Sequence, residues 1–549
     1  MKKFFSLAIL IIFSSGAFAQ KYSSGPQVLS FHSMVDGTDQ PYGLYLPLNF
    51  DESKSYPFVV MLHGAGSNHR LALRRVFGKS NFEGENDVDA SLYFPKFKDV
   101  DYIVASPLAR GTMGYQGVAE KDVWDMVADV KRRFKVDEDR TYLTGLSMGG
   151  GGTLWIGLTR PDFWAAIAPV CPAPPEGTEA YLPNAAHLPT HFFQGEADPV
   201  VPTAGVNVWV ENFKKTGTHV DYAVYPGVQH DSWVNAYADA SIFDWFAKYK
   251  RNPNPKKVVF STANLKHNAS YWVEVVALEN GKVGNITAEF TGKSAINVKT
   301  ENIEAFRIKP NAHVSAGSKL ELSVNGQKLV VNGFSGKEVI TLKNGKATVA
   351  ENTYTKTQRQ AGPMLEITSD RHIYVYGTKD NPSREEVEKR RKLAESAADW
   401  SFYRGEFLGR VMVFPRVLAD RELRESDYAN SNLILFGDED TNGAIAKYAD
   451  KLPFKFKGDS SQSLTYTFPN EKNLILVNSG YPFWQIADKG SPNLRILRNP
   501  SKASALFGYG DWVYSDGQNT FSGYFDNHWK LSEANIKTLS SVKGLVINK

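Results

Sequence analysis

The chain has 549 residues, too many for one hydrophobic core, and its length predicts two to four domains. Apolar residues make up 42% and charged residues 22%, which excludes a disordered or fibrous protein and fits an ordinary globular one. A formal net charge of +4 is too small to argue for nucleic acid as a partner. The single cysteine, Cys171, has no second thiol with which to form an internal disulfide.

The first residues have the layout of an export signal. Lys2 and Lys3 precede the apolar run from Phe4 to Phe13, and Ala17-Phe18-Ala19 supplies a small-x-small cleavage site, so residues 1–19 read as a signal peptide cut before Gln20. The run is too short to span a bilayer, and no later segment approaches that length. A periplasmic or secreted location is expected.

Residues 20–251 alternate apolar runs with helical periodicity. Strands are expected at Phe58–Leu62, Tyr102–Ala105, Thr141–Thr144, Ala165–Ala168, Thr190–Phe193 and Val220–Tyr225. Between them Val123, Met126, Val127, Val130 and Phe134 recur at helical spacing. Near-continuous apolar strands alternating with helices imply a buried, mostly parallel sheet covered on both faces.

Within this stretch "RTYLTGLSMGGGGTLWIGL" sets Gly145-x-Ser147-x-Gly149 between a strand and a helix. That order is a nucleophile elbow: the serine sits on a sharp turn where flanking side chains would clash with neighbouring strands. Gly150 to Gly152 are expected to let the helix start close to the sheet and to keep the floor around the serine open. "FVVMLHGAGSN" ends a strand in a loop of small residues that can aim backbone N–H groups at an oxyanion, together with the Met148 N–H. His63 in that loop is a weaker choice for a general base, because it precedes the serine. "FFQGEADPVVP" places Asp198 at a strand's carboxyl edge, with Glu196 as a stand-in and helix capping as its other reading. "VYPGVQHDSWVNAY" places His230 in a loop after the last strand, with Asp231 expected to cap the helix that follows. Ser147, Asp198 and His230 thus come in the chain order serine, acid, histidine and are expected to act as a catalytic triad. Cys171 in "APVCPAPP" is expected to pack as a buried thiol.

The blocks "YGLYLPLNFDESKSYPFVVMLHGAGSN", "RTYLTGLSMGGGGT", "AAIAPVC", "GEADPVVP" and "YPGVQHDSW" resemble secreted α/β-hydrolases of the polyhydroxybutyrate depolymerase and feruloyl or acetyl-xylan esterase type, which share blocks with prolyl oligopeptidase-like proteins. The resemblance covers roughly residues 30–250. It implies an α/β-hydrolase domain with Ser147, Asp198 and His230 as triad and the Ala65 and Met148 amides as oxyanion donors. It implies a serine carboxylic-ester hydrolase, with no cofactor and no metal, acting on ester groups carried by polysaccharide or on related small esters. Depolymerases of this type often carry structural cysteines near the site, and this chain has only Cys171. The connection from Cys171 to Pro189 is short, and no large helical lid is expected over Ser147. A serine peptidase, or a polymer-binding protein on an inert hydrolase fold, stand as alternatives.

"RNPNPKK", Arg251 to Lys257, reads as a linker. Residues 258–350 change to period-two runs with Asn-Gly pairs at 280, 325, 332 and 344, which predicts a small antiparallel β domain built of hairpins. Residues 351–549 return to strand and helix, with "HIYVY", "NLILF" and "NLILV" as buried strands and Ser383 with Glu386 as a capping box, so a second α/β domain is expected. "LILFGDEDTNGAIAKYA" has the order of an anion-binding strand–helix turn, for which an ordinary connection is the simpler reading. "SGYPFWQ" and "GYGDWVYSDGQNTFSGYFDNHW" offer aromatics for a sugar platform or, more simply, for a core. The sequence assigns no role to this half.

Overall fold

A computed structural model describes residues 22–401, 410–486 and 501–548. The expected signal peptide lies outside the described residues.

The first part contains β1 (Gly25–His32), β2 (Asp39–Leu46), β3 (Tyr56–Leu62), α1 (His69–Val76), α2 (Asp87–Ala90), β4 (Ile103–Pro107), α3 (Val118–Arg133), β5 (Val136–Leu146), α4 (Met148–Thr159), β6 (Ala166–Val170), β7 (Thr190–Gly195), α5 (Thr203–Lys215), β8 (Val220–Tyr225), α6 (Trp233–Ala236) and α7 (Ile242–Phe246). The sheet order is β1-β2-β4-β3-β5-β6-β7-β8. β4 to β8 and β3 run parallel, while β2 pairs antiparallel with both β1 and β4. Alternation along β3 explains its continuous apolar run. Phe58, Val60 and Leu62 enter the core on one face, and Val59 and Met61 enter the core on the other. The six expected strands are all present; the half-exposed edge strand β1 and its neighbour β2 were not expected. From β3 the chain passes to β4 on one side, and from β4 back to β5 on the other, so the loops after β3 and β5 flank a topological switch point.

The second part is a sandwich of two five-stranded sheets around one core. Its strands are β9 (Lys257–Thr262), β10 (Ala269–Ser270), β11 (Val273–Leu278), β12 (Gly284–Gly292), β13 (Ala295–Glu301), β14 (Ile303–Ile308), β15 (Leu320–Val324), β16 (Gln327–Val331), β17 (Val339–Lys343) and β18 (Lys346–Ala350). Asn325-Gly326 and Asn344-Gly345 close two-residue hairpins, β15–β16 and β17–β18, with positive φ at all four residues. The pairs at 280 and 332 do not. They turn the chain from one sheet to the other, since β11 and β12, and β16 and β17, lie in different sheets. β13 pairs parallel with β15, the exception to an otherwise antiparallel domain.

The third part contains β19 (His372–Tyr376), α8 (Arg384–Ala397), β20 (Arg416–Ala419), α9 (Glu425–Asn430), β21 (Asn432–Phe436), α10 (Gly443–Tyr448), β22 (Phe454–Phe456), β23 (Ser463–Asn470), β24 (Asn473–Gly480), β25 (Trp512–Ser515), β26 (Thr520–Gly523), α11 (Glu533–Leu539) and β27 (Leu545–Ile547). Its seven-stranded sheet has the order β20-β19-β21-β24-β23-β25-β26, parallel from β20 to β24 and antiparallel beyond. Ser383 caps α8 by accepting the Glu386 N–H at 3.2 Å, but the Glu386 carboxylate accepts from Arg390, so the box is half made. The N-terminus of α10 is filled by the protein itself: Asn442 Oδ1 accepts from Ala444 and Ile445, and Asp420 Oδ2 accepts from Gly443. Phe483, Tyr509, Trp512, Tyr514, Phe525 and Trp529 are buried, so these aromatics are core.

Arg251 does not behave as part of a loose linker. It donates to the Asp162 carbonyl at 2.6 Å and to Asp139 at 2.9 Å. Trp400, Val411 and Val413, from the third part, belong to the first domain's core. Among the described residues no helix is long and apolar enough to cross a membrane.

Candidate active site

Ser147 sits between β5 and α4 with φ 56° and ψ −115°, a conformation a residue with a side chain adopts only under constraint. The constraint is crowding. A Cβ on Gly145 would lie 2.3 Å from the Gly149 carbonyl oxygen, and one on Gly149 would lie 2.2 Å from that of Leu62. The next three glycines are equally enclosed, against the carbonyl oxygens of Val170 and Ala173 and the ring of Tyr115. The expectation of an open floor there is therefore corrected: the glycines bring α4 down onto β6 and its loop, and backbone fills the space.

Asp198 and His230 are brought together by stitching between the loops after β7 and β8. Glu196 N–H donates to the Tyr225 carbonyl at 3.0 Å, Ala197 N–H to that of Val228 at 2.9 Å, and Gly227 N–H to the exposed Glu196 carboxylate at 3.0 Å. Glu196 thus shapes the histidine loop and does not face the imidazole. The buried Asp198 uses its two oxygens differently. Oδ1 accepts from Val200 and Val201 N–H at 2.8 and 2.9 Å, and Oδ2 lies 2.8 Å from His230 Nδ1. The helix-capping expectation for Asp198 is corrected: α5 begins at Thr203 and its N-terminus takes no side-chain cap, so Oδ1 closes a turn at Val200 and Val201 ahead of the helix while Oδ2 meets the imidazole. His230 Nε2 lies 2.9 Å from Ser147 Oγ. The proton of Nδ1 therefore points at a carboxylate, which leaves Nε2 unprotonated and facing the serine hydroxyl.

Two neighbours of this relay carried no signal in the sequence. Gln194, on β7, places its amide nitrogen 3.3 Å from Asp198 Oδ2 and 2.8 Å from the Val201 carbonyl. Trp233 meets His230 edge to face at 5.6 Å. Cys171 is fully buried with its thiol pushed up to about 12 by burial, and its Sγ lies 3.5 Å from the His230 carbonyl. It stays protonated and packs. The N-terminus of α6 receives no side-chain cap, so Asp231 does not take the capping role expected of it.

The loop after β3 faces the serine from across the switch point. His63 is fully buried, with Nδ1 2.8 Å from the Gly64 carbonyl and Nε2 2.8 Å from that of Leu108, and burial holds its pKa below the usual range. It braces the loop and is not a base for Ser147. Ala65 is half-buried, and a Cβ on Gly64 would lie 3.6 Å from that of Ser147, so the loop passes directly beside the nucleophile. Gly66 N–H donates to Thr112 Oγ1 at 2.8 Å. Met148 opens α4, in the first turn where N–H groups have no intrahelical acceptor.

Residues 33–175 match the profile of a family described as "Putative esterase". The matched stretch lies within the first domain, which is thus similar to an esterase-family α/β-hydrolase. A curated relative, the endo-1,4-beta-xylanase/feruloyl esterase of Xylanibacter ruminicola, is 25% identical to this chain over 221 residues. The match takes in 37% of this chain and 29% of that protein, so the chain spans under a third of its relative's length. Among solved structures, a thermostable esterase is 24% identical and covers 41% of this chain and 63% of its own, with a TM-score of 0.34. A ferulic acid esterase from Anaeromyces mucronatus is 18% identical over 42% of this chain and 92% of its own, with a TM-score of 0.31.

Proposed function

We propose that the protein is an exported serine carboxylic-ester hydrolase that cleaves feruloyl or acetyl esters on polysaccharide, or related small esters, through an acyl-enzyme. One observation carries the reading: Ser147 Oγ, His230 and Asp198 form an unbroken relay of 2.9 and 2.8 Å, with each group on a loop at the carboxyl edge of the sheet. His230 Nε2 takes the hydroxyl proton as Ser147 attacks the ester carbonyl, and Asp198 stabilises the imidazolium that forms. The tetrahedral oxyanion is held by the Ala65 and Met148 amides, each donor worth about 3 kcal/mol in the transition state. His230 then protonates the departing alcohol. Water, deprotonated by the same nitrogen, releases the acid and restores Ser147.

An ester on a polymer needs a reachable serine. The connection after Cys171 runs through a 3-10 stretch, Thr178–His187, whose Asn184 pairs with the Ser261 backbone of β9, so this segment is engaged with the β domain. Val200 and Val234, beside Asp198 and His230 in sequence, are exposed, which suits contact with an apolar acyl group. Feruloyl esters accord with the name of the Xylanibacter relative. Export accords with the N-terminal pattern of Lys2, Lys3 and the apolar run that follows.

The test is turnover of a short-chain nitrophenyl ester, methyl ferulate, acetylated xylan and a proline-containing peptide anilide, by the wild type and Ser147→Ala. Ester cleavage lost in the variant is expected, and the preferred ester names the acyl group. Cleavage of the anilide alone would make the protein a peptidase. Silence on all four from folded protein would leave a binding role.

A further inference from the structure

Two hydrogen bonds and one close contact tie the loop after β4 to the loop carrying Ala65. Thr112 Oγ1 accepts the Gly66 N–H at 2.8 Å, Tyr115 donates to the His63 carbonyl at 2.9 Å, and the Leu108 carbonyl lies 2.8 Å from His63 Nε2. The loop after β4 is itself held in an unusual shape, with Ala109, Arg110 and Gly111 at φ 46°, 64° and 85°. Three consecutive left-handed residues persist only where the surroundings impose them.

Part of those surroundings comes from the C-terminal half. Residues 410–414 lie antiparallel to this loop: Thr112 N–H donates to the Arg410 carbonyl at 3.3 Å, Met412 N–H donates to that of Arg110 at 3.2 Å, and Gly111 pairs with Val411. A Cβ on Gly111 would lie 2.1 Å from the Arg410 oxygen, so the two backbones are in direct contact. Phe414 N–H donates to Asp36 Oδ2 at 3.0 Å, the same oxygen that lies 2.6 Å from Arg110 Nη1. The Arg110 guanidinium is fully buried and also meets Asp122 at 2.6 Å. Val411 and Val413 are buried in the core of the esterase domain.

We infer that Thr112 is a positioning residue for the oxyanion donors, held in place by residues 410–414, so that the C-terminal half takes part in catalysis by bracing the loop that carries Ala65. The inference rests on the proposed esterase reading. With the Gly66 N–H committed to Thr112, the turn from Gly64 to Gly66 keeps one setting, and the Ala65 N–H serves the oxyanion. Oxyanion bonds form in the transition state, so loosening the brace lowers kcat and leaves KM nearly unchanged.

The experiment measures kcat, KM and inhibition by phenylboronic acid on the nitrophenyl ester, using the full chain as wild type, Thr112→Val, Thr112→Ser, Met412→Pro, Val411→Ala and Ser147→Ala. The boronic acid takes the Ser147 oxygen as a fourth ligand, and His230 accepts the proton. Thr112→Val is expected to lose about 10- to 100-fold in kcat with KM within about twofold, and boronate inhibition is expected to weaken in parallel. Thr112→Ser, which keeps the acceptor, is expected to retain wild-type turnover. Met412→Pro and Val411→Ala are expected to follow Thr112→Val at unchanged KM, with folding followed by thermal unfolding. A folded Thr112→Val with wild-type kcat, or equal losses in the Val and Ser variants, overturns the positioning role. Loss in Thr112→Val but in neither 410–414 variant overturns the part given to the C-terminal half. A wild type with no ester turnover above Ser147→Ala sinks the esterase reading itself.

Discussion

Asp198 shows how much of the site rests on two backbone amides. Val200 and Val201 N–H claim Oδ1, so only Oδ2 is left for His230. In Asp198→Asn the amide oxygen must turn toward those two N–H groups, because its NH2 cannot accept from them. The NH2 then faces Nδ1, which has to become an acceptor, and the ring proton moves to Nε2. An Nε2–H cannot take the proton of Ser147. The expected result is a fall of about 10⁴ in kcat with little change in KM, measured on the nitrophenyl ester at neutral pH. A loss of less than tenfold would place the orienting duty on Gln194 or the loop backbone instead. Ser147, Asp198 and His230 were legible in the sequence because each sits beside local signals, the glycines, a strand end and a terminal loop, in a fixed chain order. Thr112 and Gln194 were not. Thr112 acts on a residue 46 positions away, and nothing in its own neighbourhood marks it.

At the scale of elements, apolar runs located the central strands well, because a strand covered on both faces has one pattern and few alternatives. Asn-Gly pairs were less decisive. All four favour a tight turn, yet only the sheet assignment of the flanking strands decides whether the turn closes a hairpin, and that is a long-range property. β19 shows an element whose stability depends on pH. His372 is buried beside Trp400, donates from Nδ1 to the Asp370 carbonyl at 2.8 Å, and has no acceptor at Nε2. A second proton would be stranded, and burial lowers its pKa from 6.5 to about 4. The unfolded chain therefore takes up the proton first as pH falls. The contribution is whole above pH about 6.5, declines through the window between the two values, and is fully lost below about 4, a change on the order of 3 kcal/mol. Denaturant unfolding at pH 7.5, 6, 5 and 4 is expected to show a shallower loss in His372→Phe than in the wild type. Equal slopes would mean that the ring is hydrated in the native protein.

The three domains meet at one buried carboxylate, and that junction decides whether the molecule behaves as a unit. Glu120, on α3, accepts from Trp155 Nε1 at 3.2 Å within its own domain and from His267 Nε2 at 2.7 Å and Lys266 Nζ at 3.3 Å in the β domain. Lys266 also reaches Glu366, from the third part, at 3.3 Å. Burial alone would raise the Glu120 pKa, but the charges of Lys266 and His267 outweigh it and hold the carboxyl well below the usual range. Its contribution is therefore present above the ordinary value of 4.5 and is lost as pH falls through the lowered native one. Glu120→Ala leaves the buried Trp155 and His267 donors without their acceptor, while Lys266 keeps Glu366, and removing one member of such a buried pair costs about 3–5 kcal/mol. Glu120→Gln keeps an acceptor for His267 and is expected to cost less. The measurement is thermal and denaturant unfolding followed by both tryptophan fluorescence and far-UV circular dichroism. In the wild type the two probes are expected to give one shared transition, since Trp400, Val411 and Val413 of the third part fill the first domain's core. In Glu120→Ala they are expected to separate, with the β domain released first because it is joined to α3 through Lys266 and His267. Coincident probes with an unshifted midpoint would show that this network is incidental and that apolar packing alone holds the domains together.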